Sequence, residues 1–431
     1  MTRTHTVAGR LRSVMDALGL DLPVAFAGWD GSRSGSADGP TLVVRHPRAL
    51  RRLVWQPNQL GLGRAWVAGE VAVEGDLYET LRRLDPVLTG DPIDPPKITG
   101  GLMRDLVALG ALGRQPAPPA EEAQLAGSRH SLRRDRRAIS HHYDVGNDFY
   151  RLVLGESMVY SCAYWRSSDE DYTLADAQRD KLELICRKLG LRPGMRLLDV
   201  GCGWGSLAIH AAREHGVDVL GLTISQEQAD LARKRVAEAG LTGHVEIRLQ
   251  DYREVDDGPF DAVSSVGMAE HVGASEYAGY AAILFRQLRR GGRLLNHQIA
   301  ERTQPAPTRR PARTRLPAPS FIQAYVFPDG ELAPLGTTVN LLEAAGFEVR
   351  DVESLREHYA RTLRAWVANL EANWAEAVRL TTPGRARVWR LYMAGSAVSF
   401  DAGRIGVNQI LAVKPRLDGG SALPPTRDWL S

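Results

Sequence analysis

Cysteine is scarce in this chain of 431 residues, which has three: Cys162, Cys186 and Cys202. An odd count without short pairing spacings argues against a disulfide framework and against zinc, and makes the cytoplasm the natural compartment. Long apolar runs are lacking as well. None approaches the roughly 18 residues that span a bilayer, so any membrane contact is expected to be peripheral. Met1 to Arg10 carries Arg and His with no apolar core behind them, so no signal peptide is expected. A strong charge of one sign is also missing. Lys and Arg number 54 against 51 Asp and Glu, an excess too small to select a class of partner; nucleic acid is not expected. What remains, 44% hydrophobic and 24% charged residues, is the composition of a soluble globular protein.

Residues 1–115 read as a smaller α+β accessory domain. It has a helix over Val7 to Leu18, a strand at Thr41 to Arg45, helical apolar spacing over Arg48 to Val54, and no catalytic cluster. Residues 116–135 read as a linker, entered through the Pro/Ala-rich run Arg114 to Glu122. Arg129, His130, Arg133, Arg134, Arg136 and Arg137 make a basic segment, either a solvated helix face or an anionic-surface contact. From 136 to 431 helices alternate with short apolar strands, beginning at Arg196 to Val200. The alternation predicts a doubly wound, mostly parallel sheet. An interruption at 303–320 holds five prolines and four arginines and reads as a long inserted loop.

Asp199-Val-Gly-Cys-Gly-Trp-Gly205 falls between the first strand and a helix. Gly201, Gly203 and Gly205 allow a tight turn and close approach of a ligand to the backbone. The spacing is G-x-G-x-G, and it follows an acid that suits the ammonium of an amino-acid moiety better than a pyrophosphate. The next strand ends without the acid that commonly holds a ribose, leaving Thr223 and Gln228 to serve. Asp251 ends the third strand, where it can accept from an adenine amine while Tyr252 covers the ring.

With these residues in place, the sequence resembles cyclopropane fatty acid synthases. The likeness rests on His142-Tyr-Asp-Val-Gly-Asn-Asp-Phe-Tyr150, Tyr160-Ser-Cys-Ala-Tyr-Trp165, Leu197 to Gly205, Gly221-Leu-Thr, Gln250-Asp-Tyr-Arg253, Ser265 to Gly273 and Tyr325-Val-Phe-Pro-Asp-Gly330. It runs from about 136 to 414, and Leu60 to Glu70 is similar to the accessory domain of longer members. The 303–320 insertion departs from the family pattern. The resemblance implies an S-adenosylmethionine-dependent methyltransferase domain of the Rossmann-like kind. Tyr160, Ser161, Asp199, Gly201, Gly203, Thr223, Gln228, Asp251 and Tyr252 would meet the cofactor. Cys162, Glu270, His297, the backbone at Ile299 and Tyr359 would hold a bicarbonate ion beside the reacting carbon.

The implied substrate is the cis double bond of a phospholipid acyl chain. An alkene has no proton to lose first, so methyl addition leaves a carbocation. The site must then exclude water, tolerate positive charge and take one proton. Tyr160, Tyr164, Trp165, Phe321 and Tyr325 are candidate faces for the cation. Direct proton loss closes a cyclopropane; a hydride shift first gives a methylene branch. The protein is expected at the inner face of the membrane. A homodimer, and a downstream reductase if the product is a methylene branch, are left open. Two other readings stand: a methyltransferase acting on a soluble metabolite, and a lipid-binding module with a decayed site. No metal ligands are assigned.

Overall fold

Where the sequence alternates apolar strands with helices, the chain builds one large sheet wound on both faces. The computed structural model describes residues 6–20, 22–36, 38–89, 99–123, 134, 145–302 and 320–427. Most of the basic segment and all of the Pro/Arg insertion except Ser320 lie outside the described residues, as does His142. Two compact units are present. One comprises the described parts of Met1–Gln124, Ala312–Pro328 and Thr381–Val398; the other is the rest. The first unit is therefore discontinuous, whereas the sequence reading takes 1–115 as a contiguous piece.

The first unit contains β1 (Ala25–Ala27), β2 (Arg33–Ser34), β3 (Thr41–Val44) and β4 (Val71–Glu74), in the order β2-β1-β3-β4. Helices Val7–Ala17, Arg48–Trp55, Gln59–Val67 and Gly100–Ala108 accompany them. Late segments are tied in by specific contacts. The Trp66 indole donates to the Arg387 carbonyl at 2.9 Å, and the Tyr325 hydroxyl to Glu122 at 3.1 Å.

The second unit is built on β5 (Arg196–Val200), β6 (Asp218–Thr223), β7 (Val245–Leu249), β8 (Phe260–Val266), β9 (Leu288–Glu301), β10 (Ala333–Pro334), β11 (Glu348–Ser354) and β12 (Ile405–Val413). The order is β11-β12-β9-β8-β5-β6-β7, with the short β10 beside β9. Pairs β5 to β9 are parallel, while β12 runs antiparallel to β9 and β11. Successive strand residues point to opposite faces. Leu197, Val219, Ile247 and Leu295 belong to one core with residues of helices Leu174–Leu189, Ser206–His215 and Gln226–Glu238. Leu198, Leu220, Val263 and Leu294 belong to the other, with residues of helices Tyr277–Gln287 and Leu335–Ala344. Helix Leu174–Leu189 is fixed at both ends, by a Thr173–Asp176 capping box and by Gly190 in the left-handed region.

After β7 the chain returns to the other side of β5. In open sheets of this kind, ligands bind outside the strand carboxyl ends at that reversal. Among the described residues no helix is long and apolar enough to cross a membrane.

Candidate active site

The glycine turn leaves β5 with φ of 78° at Gly201, 55° at Gly203 and 79° at Gly205. The Leu222 carbonyl on β6 accepts from the Gly201 and Cys202 amides at 3.0 and 2.8 Å, which pins the turn over the neighbouring strand. A Cβ on Gly201 would stand 3.0 Å from Met268 Cγ; at Gly203 it would meet nothing within 4 Å. Gly203 therefore faces open space, and the space is a cavity. Tyr160, Ser161, Asp199, Gly201, Gly203, Thr223, Gln228, Asp251 and Tyr252 all line it.

Asp199 is buried at its floor and accepts from the Ser264 hydroxyl at 2.7 Å. Burial pushes its carboxyl up to about 6, against the pull of Ser264 and the Lys181 ammonium. On the next strand the Thr223 hydroxyl donates to Gln228 Oε1 at 2.7 Å, orienting that amide. Asp251 is clasped by Arg253 through its backbone amide (3.0 Å), Nε (2.9 Å) and Nη2 (2.7 Å). An ionised carboxylate offers about four lone-pair sites, so the clasp leaves capacity for a further donor. Tyr252 packs edge-on against Tyr280.

Cys162, Glu270, His297, Ile299 and Tyr359 do not line this cavity. They are linked by backbone contacts. Glu270 Oε1 accepts from the Ile299 amide at 2.7 Å. Ile299 pairs with Val407 across β9 and β12, and the Val407 carbonyl accepts from the Leu355 amide. The Leu355 carbonyl in turn takes the Tyr359 amide at 3.1 Å and the Cys162 thiol at 3.6 Å. The group adjoins the cavity through the Gly267 amide, which donates to the His297 carbonyl at 2.8 Å, and through His271, next in chain to Glu270; both Gly267 and His271 line the cavity.

Burial raises the Glu270 carboxyl to about 7. Burial, and the positive charges of Lys181 and Lys188, lower His297 to about 3, so its imidazole is neutral at physiological pH. Glu270 Oε2 and both His297 ring nitrogens are buried without a hydrogen-bond partner. Such atoms cost about 1–3 kcal/mol each unless a polar group reaches them. Cys162 is fully buried, and burial pushes its thiol up. It is no thiolate nucleophile.

The aromatic candidates divide. Tyr160 lines the cavity, its ring 5.3 Å from Trp366. Tyr164 stacks on His358, and Trp165 already carries the Arg361 guanidinium at 4.0 Å. Phe321 and Tyr325 belong to the first unit, where Phe321 packs on Gly63. In the basic segment, Arg134 is engaged by Asp329 at 2.7 and 2.8 Å.

Sequence reasoning missed Lys181. It is buried, lines the cavity and donates to the Ser161 hydroxyl at 3.0 Å. Burial lowers its ammonium to about 8, and its charge is felt at Asp199, Cys162 and His297. The signal was present: Lys181 falls three residues after Gln178 and four before Ile185, on the buried stripe of its helix. Gln409 was missed too. It is fully buried, faces His297 across β9 and β12, and has both amide atoms unpartnered.

Residues 130–410 match the family described as mycolic acid cyclopropane synthetase. A probable fatty acid methyltransferase of Pseudomonas putida is 43% identical over 413 residues, covering 95% of this chain and 96% of that protein. The cyclopropane-fatty-acyl-phospholipid synthase of Escherichia coli K12 is 37% identical over 382 residues, 88% of each. The crystal structure of mycolic acid cyclopropane synthase CmaA1 complexed with SAH and CTAB superposes with a TM-score of 0.59 at 34% identity. It covers 65% of this chain and 98% of that one.

Proposed function

The chain belongs to the mycolic acid cyclopropane synthetase family of S-adenosylmethionine-dependent methyltransferases, and on that footing we propose that its substrate is the cis double bond of an unsaturated phospholipid acyl chain. S-Adenosylmethionine supplies the methyl carbon as an electrophile. Asp199 at the cavity floor suits its ammonium, Thr223 and Gln228 its ribose, and Asp251 with Tyr252 its adenine. Gly201 and Gly203 keep the backbone clear of it.

The observation that carries the reading is the set of unpartnered buried atoms beside the cavity, Glu270 Oε2 and both ring nitrogens of His297. Methyl addition to an alkene leaves a carbocation that must lose one proton. A carboxyl raised to about 7 is poised to take a proton near neutrality. The Ile299 amide holds one of its oxygens and leaves the other directed at need. The unpartnered atoms of Glu270 and His297, with the Cys162 thiol and Tyr359 nearby along the backbone, fit a small oxyanion. Bicarbonate, when held there, would supply a proton acceptor. Burial of Cys162, His297 and Tyr359 helps to keep water from the cation, and Tyr160 offers it an aromatic face.

The acyl chain lies in a membrane, and the reading includes a peripheral contact with one. Val54, Trp55, Met103, Val107 and Leu112 are exposed large apolar residues of the first unit. The Trp55 indole donates to the Gly113 carbonyl and Arg51 to that of Gly110. These bonds hold helix Arg48–Trp55 against the turn that leaves helix Gly100–Ala108. Across 45–59 and 99–115 the only acid is Asp105, buried and paired with Arg10, although Glu70 reaches Arg48 and Arg52 from outside these stretches. An apolar surface with basic neighbours suits an anionic bilayer.

The test is incubation with phosphatidylglycerol vesicles bearing oleoyl chains and methyl-labelled S-adenosylmethionine. Mass spectrometry of the fatty methyl esters should find label in chains one methylene heavier, and their fragmentation separates a cyclopropane from a methylene branch. Cofactor binding with no label in lipid would reject the substrate assignment.

A further inference from the structure

We propose that Cys186, His210 and His215, with Glu183, form a binding site for a divalent cation of the zinc type, apart from the cavity described above. The donors come from two helices. Glu183 and Cys186 are one turn apart on Leu174–Leu189 and so share a face. His210 and His215 come from Ser206–His215, which packs beside it. One ligand atom from each of Cys186, His210 and His215 lies within 4.8 Å of the others. Around a tetrahedral zinc, with bonds of about 2.0–2.3 Å, such atoms stand about 3.3–3.8 Å apart. Rotation about the side-chain torsions would have to close the difference.

Glu183 Oε2 stands 3.2 Å from His210 Nε2 and 3.0 Å from His215 Nε2. One carboxylate oxygen thus serves both imidazoles, as it does when a carboxylate orients metal-binding histidines or fills the fourth position. Thiolate and imidazole donors with one carboxylate select zinc-like ions over magnesium or calcium. His215 is the last residue of its helix, where the carbonyl end of the dipole favours a cation. Arg187 opposes the ion from 3.8 Å beyond Glu183 Oε1, and Glu214 offsets it. The side chains of His210, His215 and Glu183 are 13%, 18% and 36% exposed, so an ion can enter from solvent. The cysteine spacings that argue against zinc in the sequence do not register this cluster, because the donors converge only in the fold. None of the four residues lines the cofactor cavity, and a bound ion would staple the helices that precede and follow β5.

Full-length protein stripped with chelator is titrated with zinc alone by calorimetry, and separately with cobalt(II) under absorption spectroscopy. One zinc per chain is expected, with a near-ultraviolet thiolate-to-cobalt band that Cys186→Ser abolishes although Cys162 and Cys202 remain. His215→Ala, outside the hydrophobic core, should keep its circular dichroism yet bind zinc at least about tenfold more weakly and lose the zinc-induced rise in melting temperature. No stoichiometric zinc on the wild type, a cobalt complex without the thiolate band, or equal zinc affinity for wild type and His215→Ala would each overturn the site. Should Cys186→Ser fail to fold, the His215→Ala comparison decides alone.

Discussion

A carboxyl group sealed from water resists ionisation, and two such groups here give measurable signatures. Asp199 is raised to about 6 in the free protein. A bound ammonium would favour its charged form and pull that value down. Binding then requires loss of a proton from Asp199 below about pH 6. Affinity for S-adenosylmethionine should be full above that value and fall up to about tenfold per unit below it. Calorimetry across pH 5 to 8 measures this, and a flat profile would remove Asp199 from ammonium recognition. Glu270→Gln keeps the shape of the side chain but removes the base. Cofactor affinity should stay near wild type while turnover falls by about 10²–10⁴-fold; unchanged turnover would free Glu270 of its role. Both acids were legible in the sequence because Asp199 sits near the carboxyl end of β5 and Glu270 follows that of β8. Lys181 and Gln409 were not. A lysine or glutamine among apolar neighbours carries no mark of burial until the helix covers the sheet and β12 pairs with β9.

At the scale of elements, β5 could be read to the residue, because it is a short apolar run closed by Gly201. β9 and β12 run on past their apolar stretches, where Ile405 and Gly406 pair with Glu301 and Ala300. Helix Arg356–Ala372 was passed over. Its stripe of Tyr359, Leu363, Trp366 and Leu370 has helical spacing, but Arg356, Glu357, Arg361 and Arg364 interrupt it. The glycine turn is the element with the sharpest test. At Gly203, φ of 55° already disfavours a branched residue, by about 1–2 kcal/mol, and the side chain would project into the cavity. Gly203→Val should therefore abolish S-adenosylmethionine binding while the far-ultraviolet spectrum persists. Near-normal affinity in the folded variant would place the cofactor elsewhere.

The arrangement of the whole molecule was the least legible, because the first unit gathers segments more than 300 residues apart, as the Trp66–Arg387 bond shows. The proposed membrane contact belongs to this scale. The sequence offered the first of two arginine clusters for it, the second being the four arginines of the 303–320 insertion. Arg134 of the first is spent on Asp329, while Arg309, Arg310, Arg313 and Arg315 lie outside the described residues. The fold adds an apolar surface that no sequence pattern announced, since Val54, Val107 and Leu112 come from separate segments and are 45%, 60% and 41% exposed. Each exposed basic residue near an anionic surface contributes up to about 1 kcal/mol, and salt screens that part within a Debye length of roughly 8 Å. Buried apolar area adds about 25 cal/mol per Å² that salt does not screen. Wild-type protein should therefore co-sediment more with anionic than with neutral vesicles, and lose part of its binding, not all, as salt rises. The triple variant Val54→Ser, Val107→Ser and Leu112→Ser should lose the salt-resistant part and keep its cofactor affinity, because none of the three lines the cavity. Replacing the four loop arginines with Ser should instead remove salt-sensitive binding. Equal co-sedimentation of wild type and the apolar triple variant at high salt would show that this surface stays in water while the enzyme takes its acyl chain by another face.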